Sequence, residues 1–522
     1  MSRQYWIIML FSVLAMSSCR GSSPYTMSTQ AISYEPVETV TISPTITIEL
    51  TSTEEPNDDE SESLENAKGD SELAQNDLVQ ATPTVEPNIL VKMPTLNVSG
   101  IEMHEINPVG GLELVVEADA AWIRRNALFW SDVEPYPGDR NWEALSRLEE
   151  ELMNASKAGL QTILVVRRTP TWAQKFPGVY CGPIKPEALN AFAEFMAEVV
   201  ERYSRPPFNV IYWEIANEPD IDPKLVAPDE IFGCWGDDQE AYYGGEYYAD
   251  MLRLVYPEIK AANPQAQVLI GGLVLDCDPD KPPYIEGSTE KKDCAPTLFF
   301  EGILKNTGGN FFDGVSFHAY DYYLGAEGKY NNINWDSSWD NNGPVMINKI
   351  TYIRQLLQSY GYPGKFIINS ELGILCGNTG EETECKTEAF QDTKANYVAQ
   401  TYAIAQALGL RANIWYSIHG WRGSGLANMA NNPTKALSAF ATSARILSGS
   451  KLIRSLEGYP QIMGYEFSKN GRLYWVLWAM DSDPQFIQLA NPPKAIYDIF
   501  GNPLKTQREI GVGLSPIYLE FP

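Results

Sequence analysis

The sequence predicts an α/β fold, a (β/α)8 TIM barrel followed by a small C-terminal β-sandwich domain. Between about residues 96 and 443, short apolar and β-prone runs alternate with helical stretches, as parallel βα units require. Eight such units over roughly 340 residues match the size of a barrel with long loops. A doubly wound sheet is disfavoured, because no glycine-rich nucleotide-binding turn follows any of the runs.

The individual strands are predicted from runs of β-branched and aromatic residues. The first strand ends near Met103, and the other seven lie within 121–130, 161–168, 209–216, 267–275, 311–320, 365–372 and 412–421. Amphipathic spacing predicts helices over 191–203 and 247–262. From 444 to 522 the alternation stops, and a hairpin turn at Asn470-Gly471 with further short strands predicts the β-sandwich.

Residues 1–95 are predicted to lie outside both folded domains. Residues 1–19 combine Arg3, an apolar stretch and two serines before Cys19, which resembles a bacterial lipoprotein signal peptide with Cys19 as the lipidated residue. An ordinary cleaved signal with a chance cysteine is the alternative. Residues 20–95 are acidic and rich in Ser and Thr, and they cannot bury enough apolar surface to offset the entropy of ordering. We therefore expect an exported, cell-surface lipoprotein held on a disordered tether.

The charge balance limits the classes of partner. The chain carries 67 acidic and 39 basic residues, a formal net charge of −28. Nucleic acids and anionic membrane surfaces are bound through clustered Lys and Arg, so this balance argues against both. Membrane contact is expected only through the N-terminal lipid anchor. With three histidines and no clustered ligand spacing, the sequence indicates no metal site, and we expect no cofactor.

The cysteines beyond the signal peptide favour disulfides, because their number is even and the protein is predicted to be exported. Six cysteines allow fifteen pairings, so the sequence alone does not determine which ones form. The short loops suggest Cys277–Cys294 and Cys376–Cys385, which leaves Cys181–Cys234.

Two glutamates stand at the ends of predicted strands. Glu218 follows the fourth strand, in Asn217-Glu218-Pro219, where the proline cannot continue a sheet ladder. Glu371 stands at the end of the seventh strand, in KFIINSEL. Parallel barrels place their sites at the C-terminal strand ends, so both carboxyls are expected at one mouth, the arrangement that glycosidic-bond cleavage uses. The alternative is a pair of ordinary, solvated strand-end glutamates.

Longer motifs carry a family resemblance. The segment WEIANEPD at 213–220 resembles the Asn-Glu-Pro acid/base motif on strand four of clan A glycoside hydrolases, most closely family 39 and its relatives. WIRRNALFWSDVEPYPG at 122–138 is similar to their second-strand segment, and TPTWA at 169–173 to the end of their third strand. The resemblance spans about residues 100 to 440 and implies a (β/α)8 hydrolase with catalytic glutamates on strands four and seven.

The resemblance also implies roles for single residues. Glu218 would be the general acid/base and Glu371 the nucleophile of a double-displacement reaction. Asn217 would hydrogen-bond the sugar 2-hydroxyl, and Arg124 would hold and orient the nucleophile. Arg125 would face away from the site, because adjacent residues of a strand point to opposite faces.

Aromatic residues and histidines near the strand ends are candidates for sugar contact. On strand six, His318 and Tyr320 share one face, so both could reach the mouth. The resemblance implies that Tyr320 hydrogen-bonds the nucleophile, and the alternative for His318 is a satisfied core histidine. On strand eight, Trp421 is preferred over Trp415 as the sugar platform, with core packing as the alternative for either. His104, where strand one would end, is the last candidate.

The expected electrostatics follow from this arrangement. Glu371 must be charged before attack, which an inward Arg124 favours, and its charge would raise the pKa of Glu218 and keep that acid protonated. The resemblance thus implies retaining cleavage of β-glycosidic bonds in oligo- or polysaccharides. The alternatives are a catalytically inactive barrel that binds carbohydrate at the cell surface, and a transglycosylase that remodels exopolysaccharide. The sugar, the linkage and the oligomeric state stay open.

Overall fold

The computed structural model describes residues 97–227, 232–282, 284, 288–291, 293–320, 339, 345–377, 379–480 and 483–522. The predicted signal peptide, its Cys19 and the tether over 20–95 lie outside the described residues, and they stay predictions.

Parallel strands close into an eight-stranded barrel in sequence order, and β8 pairs with β1 to complete it. The strands are β1 Ser99–Glu102, β2 Trp122–Phe129, β3 Gln161–Arg167, β4 Tyr212–Ile215, β5 Gln267–Leu273, β6 Gly314–Ala319, β7 Phe366–Leu372 and β8 Ala412–Trp415. The predicted (β/α)8 barrel is therefore confirmed.

Helices cover the outside of the barrel, which is why most strands are buried on both faces. They are α1 Leu112–Glu117, α2 Trp130–Val133, α3 Ser146–Lys157, α4 Leu189–Tyr203, α5 Gly245–Ala262, α6 Leu298–Lys305, α7 Met346–Ser359, α8 Glu388–Ala407 and α9 Lys435–Leu447. The long α8 is preceded by Thr387, whose side-chain oxygen accepts the N–H of Phe390 at 3.3 Å and caps the first turn. Within the described ranges, no helix is both long and apolar enough to cross a bilayer.

The lower part of the barrel interior is a layer of apolar side chains. Its buried members are Trp122, Ile163, Tyr212, Leu269, Ile368, Ala412 and Ile414. Since side chains alternate along a strand, the residues two positions further along each strand also face the interior, one level nearer the C-terminal mouth. The apolar layer therefore identifies which residues of each strand face the site.

Strand eight differs from its prediction. The run 412–421 suggested a long strand, whereas β8 ends at Trp415. Beyond it, Ser417 Oγ accepts the N–H of Gly420 at 3.0 Å, and Ser424 Oγ donates to the carbonyl of Tyr416 at 2.8 Å. These local side-chain bonds stabilise turns in place of a sheet ladder.

The C-terminal region forms antiparallel sheets, which confirms the predicted β-sandwich. The strands are β9 Lys451–Ser455, β10 Ile462–Lys469, β11 Arg472–Ala479, β12 Gln485–Gln488, β13 Ala495–Tyr497, β14 Pro503–Leu504, β15 Glu509–Val512 and β16 Ile517–Phe521. One sheet has the order β14-β13-β16-β11-β10-β9, and the other pairs β12 with β15. A second apolar cluster fills the space between the two sheets.

The predicted hairpin turn is present between β10 and β11. Asn470 and Gly471 both have positive φ, 51° and 77°, as a type I′ turn requires. The β-sandwich packs on the barrel helices: Ser443 and Tyr518 share a hydroxyl hydrogen bond of 2.8 Å, and Gln400 donates to the carbonyl of Leu514 at 3.0 Å. The last barrel helix, α9, continues four residues past the predicted boundary at 443.

Disulfides join loops on the C-terminal side of the barrel, as the even number of cysteines predicted. One disulfide joins the loops that follow β3 and β4, a second closes the loop after β5, and the third closes the loop after β7. All three therefore brace the rim of the mouth. The pairs are Cys181–Cys234, Cys277–Cys294 and Cys376–Cys385.

Candidate active site

Glu218 is placed by a sharp turn after β4. Ala216 and Glu218 both have positive φ, 66° and 53°, which is uncommon for residues other than glycine. The N–H of Ala216 donates to Val166 at 2.8 Å, and the N–H of Glu218 donates to Gly272 at 3.0 Å. The neighbouring strands therefore hold the strained turn, and the Glu218 carboxyl lies buried against Nδ1 of His318 at 2.7 Å.

Two glycines of β5 allow this close approach. A Cβ on Gly271 would lie 2.5 Å from the carbonyl oxygen of Ile215, and one on Gly272 would lie 2.0 Å from Nε2 of His318. Both distances are far below van der Waals contact. Only glycine therefore fits where the end of β4 and the His318 ring meet β5.

Glu371 reaches the interior through an irregularity in β7. Ile368 belongs to the inner layer, so strict alternation would turn Glu371 outward together with Asn369. The pairing of β7 with β8 shifts between Asn369 and Leu372, and this bulge returns Glu371 to the inner face. There, Tyr320 donates its hydroxyl hydrogen to Oε2 of Glu371 at 2.7 Å.

Arg124 lies at the centre of the site and is fully buried. Its guanidinium contacts Oε1 of Glu371, donates to Oε2 of Glu102 at 2.7 Å and to Oε1 of Glu214 at 3.1 Å. A further bond of 2.6 Å reaches Oδ1 of Asn217. Burial acts to lower the pKa of Arg124, but the surrounding carboxylates raise it well above its usual value. The cation is therefore permanent.

The prediction that Arg124 rather than Arg125 faces the site agrees with the structure. Arg125 lies on the outer face and pairs with Glu151 at 2.5 Å. Asn217 and Tyr320 also lie where the family resemblance placed them, around Arg124 and Glu371.

Burial dominates the protonation of the two candidate catalytic residues. It raises the pKa of Glu218 to about 7 and that of Glu371 to about 7, although the Arg124 guanidinium acts in the opposite direction on both. The pKa of Glu218 is thus raised, as expected, but the charge of Glu371, which the sequence suggested as the cause, is not the largest one. Removal of the carboxyl from water is the larger effect.

His318 is neutral at physiological pH, because burial lowers its pKa to about 4. Its Nδ1 contacts Glu218, and its Nε2 lies 3.6 Å from Oε1 of Glu371. A neutral imidazole carries one N–H, so His318 can accept a hydrogen bond from protonated Glu218 at Nδ1. It contacts the carboxyl itself, which the sequence did not predict.

The remaining sugar-contact candidates, His104 and Trp421, differ in their exposure. His104 is exposed at the mouth, with its ring 5.6 Å from that of Tyr416. Trp421 is half-buried on the loop after β8, with the Arg422 guanidinium carbon 5.4 Å from its ring, and its role as a sugar platform stays a prediction.

Trp415 cannot contact sugar, so its prediction as a candidate sugar platform is wrong. It has 0 % exposure, its indole N–H donates to the carbonyl of Ser424 at 2.8 Å, and its ring packs against Tyr397. Alternation from the inner-layer Ile414 turns Trp415 outward, against α8.

Several site residues were missed by the sequence reading. Tyr416 is one residue beyond Trp415 and faces the interior, with its ring 6.0 Å from that of Tyr320. Glu102, on β1, binds Arg124. Lys349 is buried on α7 and donates to the carbonyls of Val274 and His318 at 2.9 and 3.0 Å. Alternation from Ile414 could have found Tyr416, whereas no sequence signal pointed to Lys349.

One set of donors has the spacing of a metal site in the described part of the chain. Atoms of Glu218, His318 and Glu371 lie within 4.8 Å of one another. The permanently charged guanidinium of Arg124 already contacts Glu371, and this disfavours the binding of a second cation beside it. The arrangement suits proton transfer and nucleophilic attack.

Comparison with known proteins bears on the fold. No protein-family model matches the sequence, and no curated protein matches it. Solved structures do match. A family 39 glycoside hydrolase from the gut symbiont Bacteroides cellulosilyticus WH2 has a TM-score of 0.58 at 18% identity, covering 82% of this chain and 81% of that one.

Two further structures support the same likeness. A family 30 subfamily 8 xylanase from Clostridium acetobutylicum has a TM-score of 0.55 at 13% identity, covering 83% of this chain and 97% of that one. The fold is that of these glycoside hydrolases. A conserved exported protein from Bacteroides fragilis has a TM-score of 0.56 at 14% identity, covering 81% of this chain and 97% of that one. At such identities the likeness concerns the fold, and the resemblance to clan A barrels is confirmed at that level.

Proposed function

We propose that the protein is a retaining glycoside hydrolase that cleaves β-glycosidic bonds of oligo- or polysaccharides. The observation that carries this proposal is the facing pair of buried carboxyls, Glu218 and Glu371, which offer oxygens within 4.8 Å of each other. Retaining enzymes hold their two carboxyls about 5–5.5 Å apart, whereas inverting enzymes need about 6.5–9.5 Å to admit a water molecule. The observed spacing favours retention.

In the first step, ionised Glu371 attacks the anomeric carbon while Glu218 gives its proton to the leaving oxygen. Arg124 and the hydroxyl of Tyr320 each hold one oxygen of Glu371, so the carboxylate is oriented before attack. Glu218 is suited to be the acid because burial raises its pKa to about 7. The products of this step are a glycosyl ester on Glu371 and a free alcohol.

In the second step, Glu218 takes a proton from water, which attacks the anomeric carbon and releases Glu371. Esterification has removed the negative charge of Glu371, so loss of the proton from Glu218 becomes more favourable. The His318 ring, whose Nδ1 lies 2.7 Å from Glu218, positions this carboxyl while it is protonated.

The proposed location is outside the cell, as a lipid-anchored surface protein. The disulfides around the rim support export, because such bonds persist in oxidising compartments. The likeness in fold to an exported protein of Bacteroides fragilis points the same way. Labelling of the bacterial protein with a radioactive fatty acid, in native and Cys19→Ala forms, tests the anchor.

The catalytic proposal is tested with the full chain on aryl β-glycosides and β-glycans of xylo, manno and gluco configuration. Glu371→Gln serves as the matched inactive variant, since it keeps the shape of the side chain. Sugar released by the native protein alone, with retained anomeric configuration, supports the proposal. Longer oligosaccharides in place of free sugar would indicate a transglycosylase. Binding without turnover would indicate a carbohydrate-binding barrel.

A further inference from the structure

An arginine at the end of β3 lies at the mouth near the candidate acid/base. Arg167 is the last residue of β3 and belongs to its inner row, because Ile163 is part of the apolar layer. Four residues at about 3.3 Å each place it roughly 13 Å above that layer. Its neighbour Val166 accepts the N–H of Ala216, two residues before Glu218. Arg167 therefore stands beside the turn that carries Glu218.

The guanidinium of Arg167 is only partly engaged. Its Nε donates to Oδ1 of Asn126 at 2.6 Å, and its central carbon lies 4.5 Å from the centre of the Phe129 ring. Neither Nη1 nor Nη2 donates to any residue in the described ranges, and no carboxylate there forms an ion pair with it. These two nitrogens form the planar fork that binds oxyanions in bidentate fashion.

A second guanidinium lies beside the first. The central carbon of Arg168 is 5.3 Å from the same Phe129 ring and 5.4 Å from that of Tyr180. Its Nε is buried and has no hydrogen-bond partner among the described residues. Burial, together with the charge of Arg168, lowers the pKa of Arg167 to about 10. Among the described residues no carboxylate forms an ion pair with either guanidinium, so the two form a positive region in a chain whose net charge is −28.

A small cavity lies behind β3 and β4, on the side of the sheet that faces α4. Its lining includes Val166, Arg168, Phe192 and Ile215. At about 20 Å³ it has room for roughly one water molecule, so a saccharide group would not bind there. An oxyanion held by the arginines would instead lie at the barrel mouth, where the inner row of β3 places Arg167.

We propose that the Arg167–Arg168 pair binds an oxyanion carried by the saccharide, a uronic acid carboxylate or a sulfate ester, and so selects acidic glycans. This inference rests on the proposed hydrolase function and adds its substrate class. Arg167 has no carboxylate partner within the described ranges, and a partly buried cation in that position costs free energy. A substrate oxyanion would offset that cost through charge-assisted hydrogen bonds. A neutral sugar would instead leave the fork of Arg167 desolvated and unpaired.

The test compares substrates that differ only in charge. The full chain is assayed on aryl β-glucoside against β-glucuronide, β-galactoside against β-galacturonide, and a sulfated glycan against its desulfated form. Binding of the corresponding free oligosaccharides to the Glu371→Gln variant is measured by calorimetry, so that recognition is read without turnover. Arg167→Gln is compared with Arg202→Gln, which removes an arginine from the exposed face of α4.

We expect the native protein to prefer one acidic member by about 10- to 100-fold in kcat/KM and in affinity, and Arg167→Gln to remove that preference. Turnover of the neutral member of each pair should rise in Arg167→Gln, because the variant no longer leaves a guanidinium unpaired beside the sugar, whereas a merely structural role of Arg167 would lower the turnover of both members. The carboxylate and sulfate arms identify which oxyanion is bound.

Several results would overturn the inference. A preference for neutral members is one, and an acidic preference that survives Arg167→Gln is another. Turnover of neutral sugars alone would support the proposed hydrolase function and refute the selection of acidic glycans. Arg167-dependent binding of an acidic sugar without any turnover would support the selection of acidic glycans and refute the hydrolase function. Failure of every acidic saccharide to bind would also refute it.

Discussion

The lower and upper halves of the barrel interior are built from the same strands with opposite kinds of side chain. The lower half is an apolar layer that includes Ile163, Leu269 and Ile368. One level higher, the interior holds the Arg124 guanidinium within a group of buried carboxyls. On β2 and β4, where Trp122 is followed by Arg124 and Tyr212 by Glu214, the change happens within two residues, about 7 Å.

This difference separates stability from chemistry. Apolar side chains in the lower half stabilise the fold by roughly 1.5–3 kcal/mol each when fully buried. Carboxyls in the upper half are removed from water, and their raised pKa values show that the charged form is disfavoured there. The upper half therefore holds reactive groups at a cost in stability. Substitutions in the lower half should change the free energy of unfolding, and substitutions in the upper half should change the activity.

The largest expected effect is the loss of activity in Glu371→Gln. Without the carboxylate no glycosyl ester forms, and loss of a covalent nucleophile costs roughly 10⁵-fold or more in kcat. Single-turnover kinetics and mass spectrometry of trapped ester on the native protein provide the check. A variant that still formed the ester would place the nucleophile on another residue.

Glu218→Ala should lower kcat/KM by about 10²–10⁴-fold for substrates with poor leaving groups, since these need protonation. Aryl glycosides with very acidic phenols should lose much less, because they leave without an acid. A series of leaving groups measured on both proteins gives the comparison. Equal losses across the series would remove Glu218 from its proposed role.

The pH dependence should reflect the burial of both carboxyls. Glu218 must be protonated, so activity should fall as pH rises above its pKa of about 7. Glu371 must be ionised, so activity should also fall at low pH, and the two limbs belong to the pair as a whole. The profile of kcat/KM is thus expected to be a narrow bell near neutrality. In Glu218→Ala, assayed with an acidic phenol, the alkaline limb should disappear.

The smallest effect is expected in the lower half. Ile368→Val removes one methylene from the apolar layer and should destabilise the protein by about 0.5–1.5 kcal/mol. Chemical denaturation measures this change, while kcat/KM should stay within about twofold of the native value. A large loss of activity would show that the two halves are coupled through β7.

The barrel was predictable because its strands are apolar on both faces and separated by helices. It was harder to predict which side chains point into the barrel, because alternation fails at the bulge of β7. The β-prone run also continues past Trp415, so the sequence did not indicate where β8 ends. Glu218 and Glu371 stood out through their motif and position. Residues such as Glu102 and Lys349 come together only through tertiary contacts, and no local pattern marks them.

The Gly271-Gly272 pair of β5 limits how this site can diversify. Any side chain there would collide with the end of β4 or with the His318 ring. Descendants of this sequence therefore have no room to recruit a new functional group from the centre of β5. Changes in specificity must instead arise from the loops around the mouth and from the ends of other strands, where the backbone leaves space for larger residues.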